Sequence, residues 1–516
     1  MTMHFIKYIA IAALLPAMVC AQPPIQWEYN YGGSQYESGN SIIQNAANEY
    51  IMCAVTHSNN GDVSGNHSSF SDYWLVRLDS NGILNDQKCI GGSGYDDGNF
   101  VLPVSSGGYV FLGAGGSGDG DQSSNWGNSY DYWIAKTDDA FNILWETNLG
   151  GTDFDLPFQV CETYDSGFVI VGTSRSSDGN VSNNYGNSDY WIAKVDSAGN
   201  LLWEKNYGGS DNEEARAVIE LSNNFIVVAG FSGSSDGDIS SPKGNQDFWV
   251  LMLNNFGNMI WEKSYGGASS DIATAMIEDI NGNILVLGET ASVNGDVSFN
   301  HGATDFWLIQ IDLDGTLLWE KSYGGTDQEV GTSIAQTIDS GFVMAGRSKS
   351  NDGDVSSNQG GEDFWVVKID QVGTLEWEKA MGGSLNDGAQ SVIATADTGY
   401  VISGYTESSN GDISGTNNGI ADCWVVKLHE QPLQIGMNDI SNENPFIAYP
   451  NPAHNKLQID PRVDRLHLFN LTGELIYTSN RLHGNVDISR LMNGAYIAEF
   501  YNKQDKLLNR MKIIKY

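Results

Sequence analysis

Along most of the chain, apolar and polar residues fall into short runs rich in Val, Ile, Phe, Tyr and Trp, each bounded by Gly, Asp, Asn or Ser. Such runs predict strands, and no helical period is sustained through them. Residues 215–221, 225–230, 247–253 and 259–265 show the unit: four candidate strands in about 58 residues. Turn residues join them. Asp165-Ser-Gly167, Asp339-Ser-Gly341 and Asp397-Thr-Gly399 stand between strands one and two; Asp196-Ser-Ala-Gly199 and Asp312-Leu-Asp-Gly315 stand between strands three and four. Asp caps such turns and Gly supplies positive φ, so these read as tight antiparallel hairpins.

The unit recurs. A Gly-Gly pair begins at Gly32, Gly91, Gly150, Gly208, Gly266, Gly324 and Gly382, at spacings of 59, 59, 58, 58, 58 and 58. Repetition this regular decides the fold before any single residue does, and four antiparallel strands per repeat make a propeller blade. The first repeat is preceded by an orphan fourth strand, residues 25–31, and the seventh stops after its third, residues 422–428. One end holds what the other lacks. The expectation is therefore an all-β, seven-bladed β-propeller closed by the N-terminal strand, with an open solenoid as the alternative.

Of the 14 Trp, 13 occupy two repeat positions: Trp74, Trp133, Trp191, Trp249, Trp307, Trp365 and Trp424 on the third strand, and Trp27, Trp145, Trp203, Trp261, Trp319 and Trp377 on the fourth. Rings repeated this evenly are expected to pack neighbouring blades together rather than to form a ligand cage. Trp126, in a loop of the second repeat, is the exception: it is expected to pack over its own loop, with contact to a ligand as the alternative.

Composition narrows the partners. The 516 residues carry 26 Lys and Arg against 64 Asp and Glu, a formal charge of −38, and residues 22–435 hold 15 basic against 56 acidic groups. That field repels nucleic acid and anionic lipid, and favours cations or neutral polar ligands. The Cys spacing fits neither a disulfide framework nor a metal site, so Cys53, Cys89, Cys161 and Cys423 read as buried thiols.

The chain opens with Lys7, an apolar run over 8–19, and Val19-Cys20-Ala21 before Gln22. This reads as a secretory signal cleaved between Ala21 and Gln22. Cys20 also allows a lipoprotein anchor, although Val19 is bulky for one. No later segment is apolar enough to be transmembrane.

After His429 the periodicity ends, and 431–446 is polar enough to be a linker. Beyond it come Tyr449-Pro-Asn-Pro452, alternating Leu457-Gln-Ile459 and Leu466-His-Leu-Phe469, Phe469-Asn470 leading to Gly473, Asp487-Ile-Ser, Leu491, Gly494-Ala-Tyr496 and a Lys-rich close, which predict a small β-sandwich. This order resembles the type A C-terminal sorting domain of proteins exported by the type IX (Por) secretion system of certain Gram-negative bacteria. Ala495 stands where that pattern more often has a bulkier apolar residue. The resemblance implies passage of the inner membrane on the signal peptide, crossing of the outer membrane through the type IX machinery, and cleavage with attachment or release of the body.

Strand order sends the connections from strand two to three, and from strand four to the next strand one, to a single rim. The first set carries Asn60-Gly-Asp62, Asp119-Gly-Asp121, Asp178-Gly-Asn180, Asp236-Gly-Asp238, Asn294-Gly-Asp296, Asp352-Gly-Asp354 and Asn410-Gly-Asp412. The second carries Asp96, Asp97, Asp153, Asp155, Asp211, Glu213, Glu214, Asp327 and Glu329. Carboxylates two apart, with Asp72 or its equivalents nine or ten residues on, allow a Ca²⁺ site, but Asn-Gly and Asp-Gly are the strongest of turn signals and the third-strand Asp can cap a backbone amide, so turns are the expectation and Ca²⁺ the alternative. An enzyme needs an unsymmetrical site. His57, His67 and His301 lie in loops with no nucleophile motif, and the Asp196-to-Trp203 hairpin looks like those of quinone-dependent dehydrogenase propellers without their cofactor residues.

The resulting assignment is signal peptide 1–21, propeller 22–430, linker 431–445 and sorting domain 446–516, in a secreted or outer-membrane surface-attached protein. The propeller is expected to be a non-catalytic recognition or adhesion module for a glycan or a surface protein. The alternatives are a secreted carbohydrate-active enzyme using the acidic face and a purely structural surface-layer component. No catalytic, cofactor or metal residue is assigned.

Overall fold

A computed structural model describes residues 22–127, 129–429, 455–460, 462–470, 475–480, 485–491, 494–504 and 507–515. The signal peptide and the linker read from the sequence lie outside them. The chain parts into two compact units between Leu433 and Gln434.

The larger unit is seven four-stranded antiparallel sheets, and its fourth blade shows the pattern: Glu213–Glu220, Ile226–Ser232, Asp247–Leu253 and Met259–Tyr265, each paired to the next. The third and fourth strands lie where the sequence puts them; the first two shift by one or two residues at an end. The seventh sheet is ordered Ile25–Tyr31, Asp422–Leu428, Tyr400–Thr406, Asp387–Ala394. The N-terminal strand thus pairs antiparallel with the last third strand, Tyr31 opposite Cys423 and Trp27 opposite Lys427. The first strand of blade 1 in turn packs on blade 7: Tyr36 bridges Ala421, and Ile42 N–H donates to Ser391 Oγ at 3.4 Å. The ring is closed, as the complementary ends of the repeat array require.

Aromatic packing holds neighbouring blades together. Each third-strand Trp is fully buried. Six of them meet the Tyr or Phe one residue before the preceding blade's Trp, as in Tyr132–Trp191 and Phe248–Trp307, at centroid separations of 4.4–4.7 Å. The indole N–H is satisfied within the blade by a fourth-strand side chain, Glu204 for Trp191 at 3.1 Å and Glu262 for Trp249 at 2.8 Å. In blade 7 that partner is Glu28 of the N-terminal strand, 2.8 Å from Trp424. Replacing Trp249 by Ala is expected to cost about 3–5 kcal/mol, read as a fall in denaturation midpoint, since it leaves a cavity at a two-blade seam and takes the indole donor from Glu262 Oε2.

The smaller unit is a two-sheet sandwich. Leu475–Asn480, Arg465–Phe469, Gly494–Tyr501 and Leu507–Lys515 form one sheet in that order, and Lys456–Gln458 pairs with Asn485–Asp487 in the other. Leu457, Val486, Ile488, Leu466, Leu468 and Phe500 are buried between them, as the alternation in the sequence predicts.

Candidate functional site

The long-loop rim is built around the Gly-Gly pairs. In every repeat the second Gly donates its N–H to the buried acid that opens the next first strand, as Gly33 to Glu37 and Gly209 to Glu213, at 2.7–2.8 Å. The residue after the pair donates its N–H to the first Asp or Asn of the x-Gly-Asp loop, at 2.7–2.9 Å. The first Gly donates to that loop's third residue, at 3.1–3.3 Å. The central Gly of the loop has φ of 63–74° in all seven repeats, a left-handed conformation that favours glycine. A side chain there would also strike the carbonyl of the first Gly.

These loops are therefore turns whose carboxylates are drawn inward to backbone amides. Among the described residues no three His, Cys, Asp or Glu side chains are grouped so as to hold a metal ion, and the x-Gly-Asp oxygens do not fit the Ca²⁺ reading. The acids counted as one rim also divide. Asp96, Asp155, Glu213 and Glu329 are fully buried, whereas Asp153, Asp211 and Asp327 are exposed.

The third-strand Asp acts as an amide cap. One oxygen accepts the N–H of a residue four or five positions earlier, at 2.5–3.1 Å. Its other oxygen, in Asp72, Asp131, Asp189, Asp247, Asp305, Asp363 and Asp422 alike, is buried without a hydrogen-bond partner. It faces the first-strand acid of the next blade across the first Gly, where a Cβ would stand closer than 3.0 Å to both carboxylates. Burial pushes these Asp carboxyls up, Asp131 to about 8 and Asp189 to about 7, with the facing Asp155 and Glu213 respectively adding to the rise.

His67 and His301 belong to the same latching. Their Nδ1 atoms lie 2.6 and 2.7 Å from Asp72 and Asp305, and their Nε2 atoms 3.6 Å from Asp121 and Asp354 of the next blade. Cys53, Cys89 and Cys423 are buried free thiols and Cys161 is half-buried. Trp126 is 41% exposed and donates its backbone N–H to Asp131.

What breaks the sevenfold regularity lies along the channel. Every first strand carries one bulged residue: Asn40, Asn99, Phe158, Arg216, Thr274, Thr332 and Gln390. All seven line a cavity of about 500 Å³ down the centre of the ring. Asn40, Asn99, Thr274 and Thr332 donate to a first-strand carbonyl of the next blade at 2.6–3.0 Å. Arg216 instead pairs with Glu214 at 2.9 Å and lies 5.5 Å from the ring centroids of both Phe158 and Phe231.

Above the bulges, on the long-loop side, the mouth of the channel is unsymmetrical. The residue before the first strand is Tyr36, Tyr95 or Phe154 in blades 1–3, then Asn212, Ser270, Gln328 and Asn386. The penultimate residue of the second strand is Val55, Ala114 and Thr173 in those blades, then Phe231, Glu289, Arg347 and Tyr405. On blade 6 and the adjoining strand ends, Arg347 and Lys349 both reach Glu362, at 3.2 and 3.3 Å. Burial pushes the Glu289 carboxyl up against the opposing pull of Arg347 and Arg216. Aromatic rings continue the circuit. Tyr405, Tyr36, His57, Tyr95 and Phe70 follow one another at centroid separations of 6.4, 6.1, 6.4 and 4.4 Å. Of these only His57 was singled out from the sequence; comparing equivalent positions around the repeat, rather than searching for motifs, is the signal that finds the rest.

Comparison with known proteins agrees with the two-unit division. Residues 447–515 match the family model of the secretion system C-terminal sorting domain, so the chain ends in a type IX sorting domain. The repeats are similar to regulatory protein FlaEY of Caulobacter vibrioides, at 27% identity over 228 residues, covering 40% of this chain and 23% of that one. They are also similar to a WD repeat-containing protein of Acanthamoeba polyphaga mimivirus, L264, at 20% identity over 361 residues, covering 53% and 26%. The chain thus spans about a quarter of the length of these relatives. Among solved structures, the Neurospora crassa Pan2 WD40 domain is similar at 8% identity and a TM-score of 0.40, covering 75% of this chain and 88% of that one. PorZ, a surface component of the type IX secretion system of Porphyromonas gingivalis, is similar at 9% identity and a TM-score of 0.26, covering 93% and 81%. The sorting domain makes this an exported protein, secreted or held at the cell surface. Among the described residues no helix is long and apolar enough to cross a membrane.

Proposed function

We propose that the propeller is a non-catalytic recognition or adhesion module, delivered outside the cell by the sorting domain, that engages a glycan or a surface protein at the mouth of its channel. The observation that carries this reading is the confinement of the asymmetry. Rim loops and seams repeat with nearly the same bonds seven times, while the channel and its mouth differ from blade to blade, the mouth passing from aromatic to charged around the ring. Glu214 and Glu362 are ion-paired to Arg216 and Arg347 and do not supply the protonated carboxyl beside a free carboxylate that glycoside hydrolysis needs. Burial raises Glu289 and Asp97, so a carbohydrate-active enzyme on the acidic face is the alternative that a glycoside hydrolase screen decides.

Purified mature protein is expected to bind a component of a glycan array or of intact cell surfaces, and to release no product in a glycoside hydrolase screen. Turnover in that screen would overturn the non-catalytic reading. Export has its own test: deletion of residues 446–516 is expected to leave the body inside the cell envelope, checked by fractionation and by mass spectrometry of the mature termini.

A further inference from the structure

The aromatic side of the mouth is more specific than recognition in general. We propose that Phe70, Tyr95, His57, Tyr36 and Tyr405 form a shelf for a neutral, hydroxyl-rich oligosaccharide, whose ring faces stack on the aromatic side chains while flanking carboxylates take its hydroxyls. This rests on the recognition reading above and names the ligand class and the residues.

The shelf is a distinct piece of the ring. His57 N–H donates to Tyr36 O at 3.0 Å, so the two rings are fixed by the same backbone pairing that joins first and second strands. Phe70 and Tyr95 lie 4.4 Å apart yet stay 39% and 44% exposed. The other ring pairs that close among the described blade residues are the buried Trp seams and Phe299–His301, 4.6 Å apart in a rim loop of blade 5, where the His is tied to Asp305. Two large rings held against each other and left open to solvent at a channel mouth provide a stacking surface without a deep apolar pocket. Acceptors stand beside them. Ser71 Oγ donates to Asp97 on the blade 2 side, and Tyr405 Oη lies 3.5 Å from Glu362 on the other.

Charge selects the class. Residues 22–435 hold 15 basic against 56 acidic groups. Of the basic groups at this mouth, Arg216 is paired with Glu214, and Arg347 and Lys349 with Glu362, while Arg175, at the blade 3 position that His57 holds in blade 1, is exposed and outside these pairs. An anionic glycan would meet Arg175 but otherwise enter a strongly negative field. A neutral sugar needs only C–H faces against aromatic rings and hydroxyls on carboxylates. An apolar peptide would find shallow rings interleaved with carboxylates rather than a groove that desolvates it.

The test uses the mature full-length protein with neutral gluco-, xylo- and manno-oligosaccharides and, as the charged arm, oligogalacturonate and heparin fragments, by calorimetry. At least one neutral series is expected to bind and the charged arm not to. Tyr95→Ala and Phe70→Ala should each weaken binding about tenfold, Tyr95→Phe should retain it, and Phe256→Ala, at an exposed position in the hairpin between the third and fourth strands of blade 4, should leave it unchanged. Equal melting midpoints show that the variants fold. Binding of the charged arm, or neutral binding indifferent to Tyr95 and Phe70, overturns the shelf. If no glycan binds but intact cells are still bound, indifferently to Tyr95→Ala, the shelf falls and the recognition reading stands. If neither binds, both fall.

Discussion

Deletion of residues 22–31 is expected to remove the cooperative unfolding transition of the propeller, not to trim it. Strand Ile25–Tyr31 supplies the outer edge of blade 7, pairing with Asp422–Leu428 along its length. It also supplies hydrogen-bond partners to blade 7, among them that of the buried Trp424. Glu28 takes the Trp424 indole N–H at 2.8 Å and the Ser414 N–H at 3.0 Å, and Asn30 Nδ2 donates to Asp422 Oδ2 at 3.0 Å and to Thr416 O at 2.8 Å. Tyr31 Oη reaches across to Gly82 O of blade 1. The seam at this point starts with less aromatic packing than the others, because Cys423 stands where six blades place Tyr or Phe before the Trp. Without the strand, Asp422–Leu428 becomes a bare apolar edge, a template for aggregation. The loss is comparable to the whole stability of a domain, about 5–15 kcal/mol. A permuted chain carrying residues 22–31 after His429, through an Asp-x-x-Gly turn like that at Asp196–Asn200, should recover the transition. Thermal unfolding of the deletion and the permutant decides it: an unchanged midpoint in the deletion would mean that the ring is not latched by this strand.

The latch was legible before any coordinates, because an orphan fourth strand and a missing fourth strand are statements about counts. Trp packing was legible for the same reason: a ring that recurs every 58 residues belongs to the repeat. The acidic rim was not. Asp96 and Asp97 are neighbours in sequence, yet one is sealed beneath Gly92 and the other lies half-buried near the mouth, and strand alternation alone makes that difference. The channel residues escaped because each sits on a bulge. An extra residue in the first strand reverses the in-and-out order beyond it, so Asn40 and Arg216 reach the channel where a regular alternation would have turned them elsewhere. The mouth was hidden by the regularity itself, since a search for recurring motifs averages away the blades that carry its rings and the blades that carry its charges.

Asp131→Asn is expected to stabilise the protein at pH 8 and to change it little at pH 5. The Asp131 carboxyl is fully buried, keeps one oxygen on the Trp126 N–H at 2.6 Å, and leaves the other without a donor, facing Asp155 across Gly150. Burial first, and the Asp155 charge after it, push its pKa up to about 8, while Asp155, also driven by burial, rises to about 6. An unfolded Asp titrates near 3.9, so the folded state holds this proton more tightly than the unfolded chain does. Stability from this group is therefore greatest below pH 4 and falls as pH rises toward 8, by up to about 1.4 kcal/mol per unit, on the order of 3–5 kcal/mol over the whole window. The same geometry recurs at all seven seams, with Asp189 at about 7 and Asp363 at about 6, so the ring as a whole should melt higher in mild acid than at pH 8. An Asn amide keeps an acceptor for Trp126 and turns its N–H₂ toward Asp155, replacing a shared proton with a permanent donor. The expected result is a higher midpoint at pH 8 and a flatter pH profile. A destabilisation of equal size at both pH values would show that the seam needs the Asp131 carboxylate ionised, and that its unpartnered oxygen is not the site of the proton.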